Sequence, residues 1–224
     1  MKIVLVCTSA SELKGHPTGL WLEECAVPYY MFKEKGYEVV LASPTGGPIP
    51  LDQNSLVGDF FVADAKKFMH DGEAVGALSH TVKLDAVDWS TVDAIYLAGG
   101  HGTCVDFVNN PALKSAIETL FNADKIVACD CHGPIALADC VKADGSPLVK
   151  DKVVTGFADS EEIAVQLEKI VPFLVESKFR EQGAKYEKAG DWQVKVCVDG
   201  NLITGQNPAS SEACAKAVVT ALSS

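Results

Sequence analysis

The sequence contains no long apolar run. None of its hydrophobic stretches approaches the about 20 consecutive residues that a membrane-spanning helix needs. The apolar run after Lys2 is also too short for the hydrophobic segment of a secretory signal peptide. We therefore expect no transmembrane segment and no signal peptide, and we interpret this first run as a buried strand.

Cysteine pairs and positive charge are also scarce. The eight cysteines include no C-x-x-C pair and are too sparse for a disulfide scaffold, which favours free thiols in a reducing compartment. Lysine and arginine number 19, against 30 aspartates and glutamates, for a formal net charge of −11. Because nucleic-acid sites need a positive surface, this balance argues against a nucleic-acid partner. The composition predicts a cytoplasmic protein that acts on small neutral or reactive molecules.

Apolar runs alternate with helix-like segments along the chain. Four runs rich in valine, isoleucine and alanine are typical of strands buried on both faces, namely KIVLVC (2–7), YEVVLAS (37–43), AIYLAGG (94–100) and KIVACDC (125–131). Helix-like segments lie at about 18–35 and after Asn110-Pro111. This alternation predicts an α/β fold with a parallel sheet sandwiched between helices. We expect a single domain over residues 1–224.

Two later segments predict additions to the sheet. Residues 148–157 and 192–205 have the composition of extended chain. The second segment is interrupted by Asp199-Gly200, a pair that favours a tight hairpin turn. We therefore expect added hairpins beside the parallel strands.

Two further helices and an insertion complete the predicted organisation. A long helix is expected over about 160–182, with a kink at Pro172, and a last helix over about 208–222. Residues 44–92 are irregular, and we expect them to form a small lid insertion over a site.

The stretch ACDCHGPIALADC combines three thiols with an imidazole. Cys131 ends a buried strand and Gly133-Pro134 open the next helix, so this thiol falls on a tight strand-to-helix turn. Ligands collect at the carboxyl ends of parallel strands, and a helix N-terminus lowers the pKa of a cysteine placed there. Both arguments select Cys131 as a nucleophile and leave Cys129 and Cys140 as packing residues.

A metal site is the competing interpretation of this cluster. Cys129, Cys131 and His132 superficially resemble a set of ligands. Structural zinc sites, however, usually combine C-x-x-C with a second ligand pair, and the sequence has no second pair. We therefore expect no metal.

A nucleophilic thiolate needs an oxyanion site and a proton carrier. The motif AGGHG (98–102) ends another strand with two glycines, so the N–H groups of Gly100 and His132 are candidate oxyanion donors. Helical periodicity places Glu24 on the apolar stripe of the first helix. A buried carboxyl at this position either has a structural role, with its hydrogen bonds satisfied, or takes part in the chemistry of the site. Beside a thiolate we expect it to be protonated.

His132 can carry a proton if a third group orients it. The acidic run TGFADSEE offers Asp159, Glu161 and Glu162 for this role. The spacing of these residues does not choose among them.

Taken together, the motifs of the chain resemble a known family. They are TGLWLEE, ASPTGG followed by PLD, AGGHGT, CHGP, TGFADSEE and LITGQNPASS. The sequence is similar to the ThiJ/PfpI superfamily, whose fold is the flavodoxin-like class I glutamine-amidotransferase type. Within it the chain looks closest to the branch of stress chaperones and glutathione-independent glyoxalases. This resemblance favours a homodimer.

The resemblance also implies roles for individual residues. It makes Cys131 the nucleophile and His132 the histidine of a catalytic triad. Glu24 corresponds to the family's glutamate on the first helix, and Gly100 to the glycine of its oxyanion site. The third member of the triad would be Glu162, five residues after the phenylalanine of the TGF segment. Asp159 is the fallback for this position.

The activity implied by the resemblance is that of a glyoxalase. Methylglyoxal would become lactate, and glyoxal would become glycolate, through a hemithioacetal on Cys131, with no metal, glutathione or nucleotide cofactor. A holdase chaperone or oxidation sensor is one alternative, and a cysteine peptidase or amidase is another.

Overall fold

A seven-stranded sheet forms the centre of the molecule. The computed structural model describes residues 1–223. The strands of all its sheets are, in chain order, β1 (Lys2–Val6), β2 (Glu12–Leu13), β3 (His16–Pro17), β4 (Glu38–Ser43), β5 (Val82–Lys83), β6 (Ala94–Leu97), β7 (Ile126–Asp130), β8 (Val153–Val154), β9 (Lys185–Tyr186), β10 (Val196–Asp199) and β11 (Leu202–Gly205). The large sheet has the order β10-β11-β7-β6-β1-β4-β5. Its neighbours are parallel except β10 and β11. The parallel α/β sheet is confirmed, and the four predicted runs form β1, β4, β6 and β7.

Helices cover both faces of this sheet. They are α1 (Glu23–Glu34), α2 (Ala63–His70), α3 (Gly72–Ser79), α4 (Thr103–Asp106), α5 (Pro111–Asn122), α6 (Asp159–Ala164), α7 (Val175–Glu181) and α8 (Ser211–Leu222). Successive residues of β1 point to opposite faces, as a pleated strand requires. Ile3 and Leu5 join the core beneath α1 and α8, whereas Val4 and Val6 join the core beneath α5. Both faces are therefore buried, which explains the continuous apolar runs.

The long helix predicted over 160–182 is wrong. The structure has two short helices instead, α6 and α7, with turns between them. Gln166, with φ of 62°, lies in the left-handed region, which a helix cannot contain. Pro172 has no backbone N–H to donate to a helix, so it lies in the connection rather than at a kink.

The first and last helices are shorter than predicted. Leu20 forms a parallel bridge with Leu51, so the chain is still extended there and α1 begins only at Glu23. At the other end, a turn of 3-10 helix over Pro208–Ser210 precedes α8.

The hairpin predicted over 192–205 is confirmed. Strands β10 and β11 pair antiparallel, and Gly200 in the turn has φ of 65°, a conformation that favours glycine. Residues 148–157 contribute only β8, which pairs parallel with β9 in a separate two-stranded sheet. A third small sheet, formed by β2 and β3, was not predicted.

Residues 44–92 are less irregular than the sequence indicates. They contain α2, α3, β5 and several turns of 3-10 helix, and part of the segment lies over the carboxyl end of the sheet. Over residues 1–223, no helix combines the length and apolarity needed to cross a membrane.

Candidate active site

Cys131 lies on a strained turn at the carboxyl end of β7. Its φ of 53° is in the left-handed region, which costs a residue with a side chain roughly 1–2 kcal/mol. Two hydrogen bonds hold the turn, because the Cys131 N–H donates to the Gly205 carbonyl at 3.0 Å and the Phe157 N–H donates to the Cys131 carbonyl at 2.8 Å. The sequence prediction of a tight turn is confirmed.

The helix predicted after this turn is a 3-10 helix, Gly133–Asp139. The Ile135 N–H bonds to the His132 carbonyl three residues back. Cys140 directly follows the last residue of this helix. It is buried, as is Cys129, in agreement with packing roles for both.

A chain of hydrogen bonds runs from Cys131 through His132 to Glu162. The Cys131 Sγ lies 3.4 Å from His132 Nδ1, and His132 Nε2 lies 2.7 Å from Glu162 Oε2. An ionised carboxylate only accepts hydrogen bonds, so Nε2 carries the imidazole hydrogen and Nδ1 is left to accept a proton from the thiol. The geometry is that of a nucleophile, a base and an orienting acid.

Burial and charge set the protonation of this chain. Burial, followed by the neighbouring His101, lowers the pKa of His132. Burial alone would raise the pKa of Glu162, but His132 and His101 outweigh it and hold that pKa well below its usual range. At neutral pH the site therefore contains a neutral imidazole and an ionised carboxylate.

The acidic run places its three carboxylates differently. Glu162 is the one that reaches His132. Asp159 instead bonds to the backbone N–H of Ser177 at 3.2 Å, and Glu161 accepts hydrogen bonds from the backbone N–H groups of Ala158 and Trp192. The fallback residue therefore lies outside the hydrogen-bonded chain.

His101 is a member of the site that the sequence analysis missed. Its Nε2 lies 2.7 Å from Glu162 Oε1, and its ring centroid lies 3.9 Å from that of His132. The available signal was its position in AGGHG, directly after the two glycines at the end of β6.

The three groups His101, His132 and Glu162 have potential ligand atoms within 4.8 Å of one another. A cation could enter only by replacing the two hydrogen bonds on the Glu162 carboxylate. Those two hydrogen bonds already pair both imidazoles with the Glu162 carboxylate. We therefore interpret the three groups as a proton-carrying chain.

Glu24 approaches Cys131 from α1. It is fully buried, as its helical position predicted, and its Oε2 accepts the Gly99 N–H at 2.7 Å. Its carboxyl group interacts electrostatically with the Cys131 thiol. Burial, followed by the charge of Asp130, raises the pKa of Glu24 well above its usual range. The glutamate is therefore protonated at neutral pH, as expected.

The predicted lowering of the Cys131 pKa is wrong for the resting protein. Burial, followed by the carboxyl groups of Glu24 and Asp130, raises the pKa of this thiol well above its usual range. No full α-helical turn follows the residue to offset these effects. Cys131 is thus a protonated thiol in the resting protein, and His132 Nδ1 lies within hydrogen-bond reach of its sulfur.

Two backbone N–H groups are free beside the thiol. Within residues 1–223, neither the Gly100 N–H nor the His132 N–H donates a hydrogen bond, although both residues line the cavity. Gly100 has φ of 97°, and a Cβ there would lie 2.3 Å from the Gly19 carbonyl oxygen. Only glycine fits this close approach, and it leaves the N–H open to a ligand.

Cys131 opens into a cavity of about 680 Å³. Apolar side chains form most of the wall, among them Trp21, Phe60 and Trp192. Phe60 belongs to the predicted lid segment, and its ring packs edge-on against Trp21 at 5.2 Å. No lysine or arginine of the described chain lines the cavity, so it favours neutral molecules over anions.

The family model for the DJ-1/PfpI family matches residues 18–221. The chain belongs to the DJ-1/PfpI family. It is 31% identical to Glyoxalase 3 of Candida albicans, over 99% of this chain and 98% of that protein, and 30% identical to glutathione-independent glyoxalase HSP31 of Saccharomyces cerevisiae, over the same shares. The crystal structure of glyoxalase III from Candida albicans superposes with a TM-score of 0.91, at 31% identity, covering 99% of this chain and 97% of that one. These likenesses confirm the resemblance found in the sequence.

Proposed function

We propose that this protein is a glutathione-independent glyoxalase that converts methylglyoxal to lactate and glyoxal to glycolate. One observation carries the proposal: Cys131 lines an apolar cavity, its sulfur lies 3.4 Å from Nδ1 of the neutral His132 imidazole, and it interacts electrostatically with the protonated carboxyl of Glu24. The likeness to two glyoxalases over nearly the whole chain supports it.

The first step is addition of the thiol to the aldehyde. His132 Nδ1 takes the proton of Cys131, and the sulfur forms a bond to the aldehyde carbon. The carbonyl electron pair moves to oxygen, where the N–H groups of Gly100 and His132 stabilise the charge. Return of the proton to this oxygen gives a neutral hemithioacetal.

The second step moves hydrogen between the two former carbonyl carbons. Neutral His132 Nδ1 removes the proton from the sulfur-bearing carbon, while the protonated Glu24 donates its proton to the oxygen of the neighbouring carbonyl, which gives an enediol. His132 then delivers its proton to the neighbouring carbon, and the Glu24 carboxylate takes the proton of the hydroxyl on the sulfur-bearing carbon, so both residues return to their starting states. The product is a thioester of the 2-hydroxy acid on Cys131. Hydrolysis by water releases the acid and restores the thiol, so no external oxidant or reductant is consumed.

Lactate formation in metal-free, thiol-free buffer tests the proposal. Wild-type protein should convert methylglyoxal to lactate, whereas Cys131→Ala should not. Cys140→Ala is the matched control, because this thiol is also buried but bonds to the Ala136 carbonyl away from the site. Equal turnover by wild type and Cys131→Ala would overturn the assignment.

The buried, raised-pKa thiol argues against the oxidation-sensor alternative. A sensor cysteine is exposed and has a low pKa, whereas Cys131 is 4% exposed and its pKa is raised by burial. We expect mild peroxide to leave most of Cys131 as the thiol, which mass spectrometry of the intact protein would show.

We infer that the protein acts in the cytoplasm as a homodimer, with residues 44–92 forming a lid on a single domain. All eight cysteines are buried and unpaired, which is compatible with a reducing compartment. Fractionation of cells, sedimentation of the purified protein and the effect of substrate on proteolysis within 44–92 test these three points.

A further inference from the structure

His101 lies in the site, but the glyoxalase steps give it no task. It directly follows Gly100, beyond the carboxyl end of β6, and lines the cavity together with Cys131. The last of those steps, hydrolysis of the thioester on Cys131, has no residue that activates the water. A positioned base typically speeds such a proton transfer by about 100-fold or more. An imidazole without a task and a step without a base therefore occur in the same site.

Three neighbours fix the His101 ring. Its Nε2 lies 2.7 Å from Glu162 Oε1, and its centroid lies 3.9 Å from that of His132. The Phe157 ring packs edge-on against it, with the centroids 5.9 Å apart. Because the ionised Glu162 carboxylate can only accept a hydrogen bond, Nε2 carries the hydrogen of the neutral His101 ring. The other nitrogen, Nδ1, then has a free lone pair.

That lone pair is not used by any group in residues 1–223. Among these residues, the His101 side chain forms a hydrogen bond with Glu162 alone. His132 Nδ1, in contrast, is already paired with the Cys131 sulfur. The two rings also differ in exposure, because the His101 side chain is 14% exposed and the His132 side chain only 1%. Water in the cavity therefore has access to His101, whereas His132 is covered.

We propose that His101 is the general base that activates water to hydrolyse the thioester on Cys131. His132 and Glu24 carry out the hydrogen transfer that forms the thioester, and His101 acts only after that transfer is complete. Its role in lactate formation rests on the proposed glyoxalase function. Its action on an acyl group attached to Cys131 by other means does not.

Water is the only co-reactant that this hydrolysis needs. One proton of the water passes to His101 Nδ1, and the water oxygen forms a bond to the carbonyl carbon of the thioester. The carbonyl electron pair moves to oxygen, where the N–H groups of Gly100 and His132 stabilise the charge. When the carbonyl re-forms, the carbon–sulfur bond breaks and its electron pair stays on sulfur. His101 releases its proton to solvent, and the proton of the new carboxyl group then passes through His132 Nδ1 to the Cys131 sulfur.

Glu162 supports both imidazoles in this sequence of steps. A carboxylate bonded to one nitrogen of an imidazole stabilises the positive charge that forms when the other nitrogen takes a proton. Glu162 Oε2 does so for His132, and Oε1 does so for His101. Because the ring centroids are 3.9 Å apart, two imidazolium ions would repel each other. The division into two half-reactions lets the rings take protons in turn.

Hydrolysis of an acetyl group placed on Cys131 by p-nitrophenyl acetate tests the proposal without any dicarbonyl. After removal of the reagent, mass spectrometry follows the loss of acetyl from the peptide that contains Cys131. We expect the rate constant to fall by about 100-fold or more in His101→Ala, the usual contribution of a general base. Added imidazole should restore part of this rate, because the cavity of about 680 Å³ has room for it. A purely structural role of His101 would give no such rescue.

With methylglyoxal, His101→Ala should stop at the thioester. Its kcat should fall while kcat/KM at the pH plateau changes little, since kcat/KM reports only the steps up to thioester formation. Hydroxylamine identifies the accumulated thioester, because it converts a thioester, but not a hemithioacetal, to a hydroxamic acid. His101→Gln keeps an N–H donor for Glu162 and serves if His101→Ala does not fold. His80→Gln is the control and should behave as wild type, since this exposed imidazole bonds to the Gly76 carbonyl outside the cavity.

The two substrates separate this proposal from the proposed function. Equal rates of acetyl hydrolysis in wild type and His101→Ala would overturn the role of His101, whatever the fate of methylglyoxal. If wild-type protein forms no lactate but loses acetyl faster than His101→Ala, the glyoxalase function fails and the role of His101 as a base stands.

Discussion

The carboxylate of Glu162 joins His132 to the site through a hydrogen bond of 2.7 Å between Oε2 and Nε2. Its other oxygen is bound by His101 at the same distance. One carboxylate thus orients two imidazoles, only one of which reaches the Cys131 sulfur.

Replacing Glu162 by glutamine should lower kcat by at least about 100-fold, the usual loss when a general base is no longer oriented. KM should change little, because Glu162 does not line the cavity. Steady-state kinetics with methylglyoxal provide the measurement. Asp159→Asn is the matched control and should keep its activity; an equal loss in both variants would contradict the assignment of Glu162.

His101→Ala should shift the pH dependence of kcat/KM upward. Burial is the main cause of the lowered His132 pKa, and the neighbouring His101 lowers it further. Without His101 that pKa rises, so the basic form of His132 is lost at a higher pH. Glu162→Gln removes an opposite influence and should shift the acidic limb of the profile downward. Shifts of the same sign in the two variants would refute this electrostatic account.

Gly99→Ala should disrupt the site through a steric clash. A Cβ at this position would lie 2.5 Å from Glu24 Oε2 and 2.7 Å from the His132 backbone nitrogen. Overpacking of this kind typically lowers the free energy of unfolding by about 1–3 kcal/mol. We expect the Gly99→Ala protein that still folds to be inactive. Chemical denaturation and turnover measure the two effects. Gly76→Ala in helix α3, where a Cβ meets nothing within 4 Å, should be neutral or stabilising.

Glu24→Gln should abolish turnover but stabilise the fold at neutral pH. The pKa of Glu24 is higher in the folded protein than in the unfolded protein. Between these two pKa values only the unfolded protein releases the proton. The free energy of unfolding therefore falls by about 1.4 kcal/mol for each pH unit in that range. Glutamine cannot release this proton. The difference in unfolding free energy between variant and wild type should therefore grow from pH 4 to pH 7, and a constant difference would show that Glu24 is ionised in the folded protein.

Local patterns predicted the parts of the site that depend on neighbouring residues. The position of Cys131 followed from an apolar strand that runs into Gly133-Pro134, and the burial of Glu24 followed from helical periodicity. The same reasoning failed between α6 and α7, where a left-handed Gln166 breaks a segment whose composition favours a helix.

Contacts between distant segments could not be predicted in this way. The sequence left Asp159, Glu161 and Glu162 equivalent, because the choice depends on how α6 docks against His132. The hydrogen bond between His101 and Glu162 spans 61 positions, and that between Tyr96 and Asp130 spans 34. Such pairs are set by the order of strands in the sheet.

The cavity above Cys131, at about 680 Å³, has the size of sites that accept drug-like molecules, whereas methylglyoxal has only three carbon atoms. Its walls cannot enclose so small a substrate, so shape contributes little to the choice among aldehydes. Selection falls instead to the electrophilicity of the carbonyl and to the presence of a second carbonyl on the adjacent carbon. We therefore expect the proposed glyoxalase to accept a whole class of reactive dicarbonyls, with bulky members alongside the smallest.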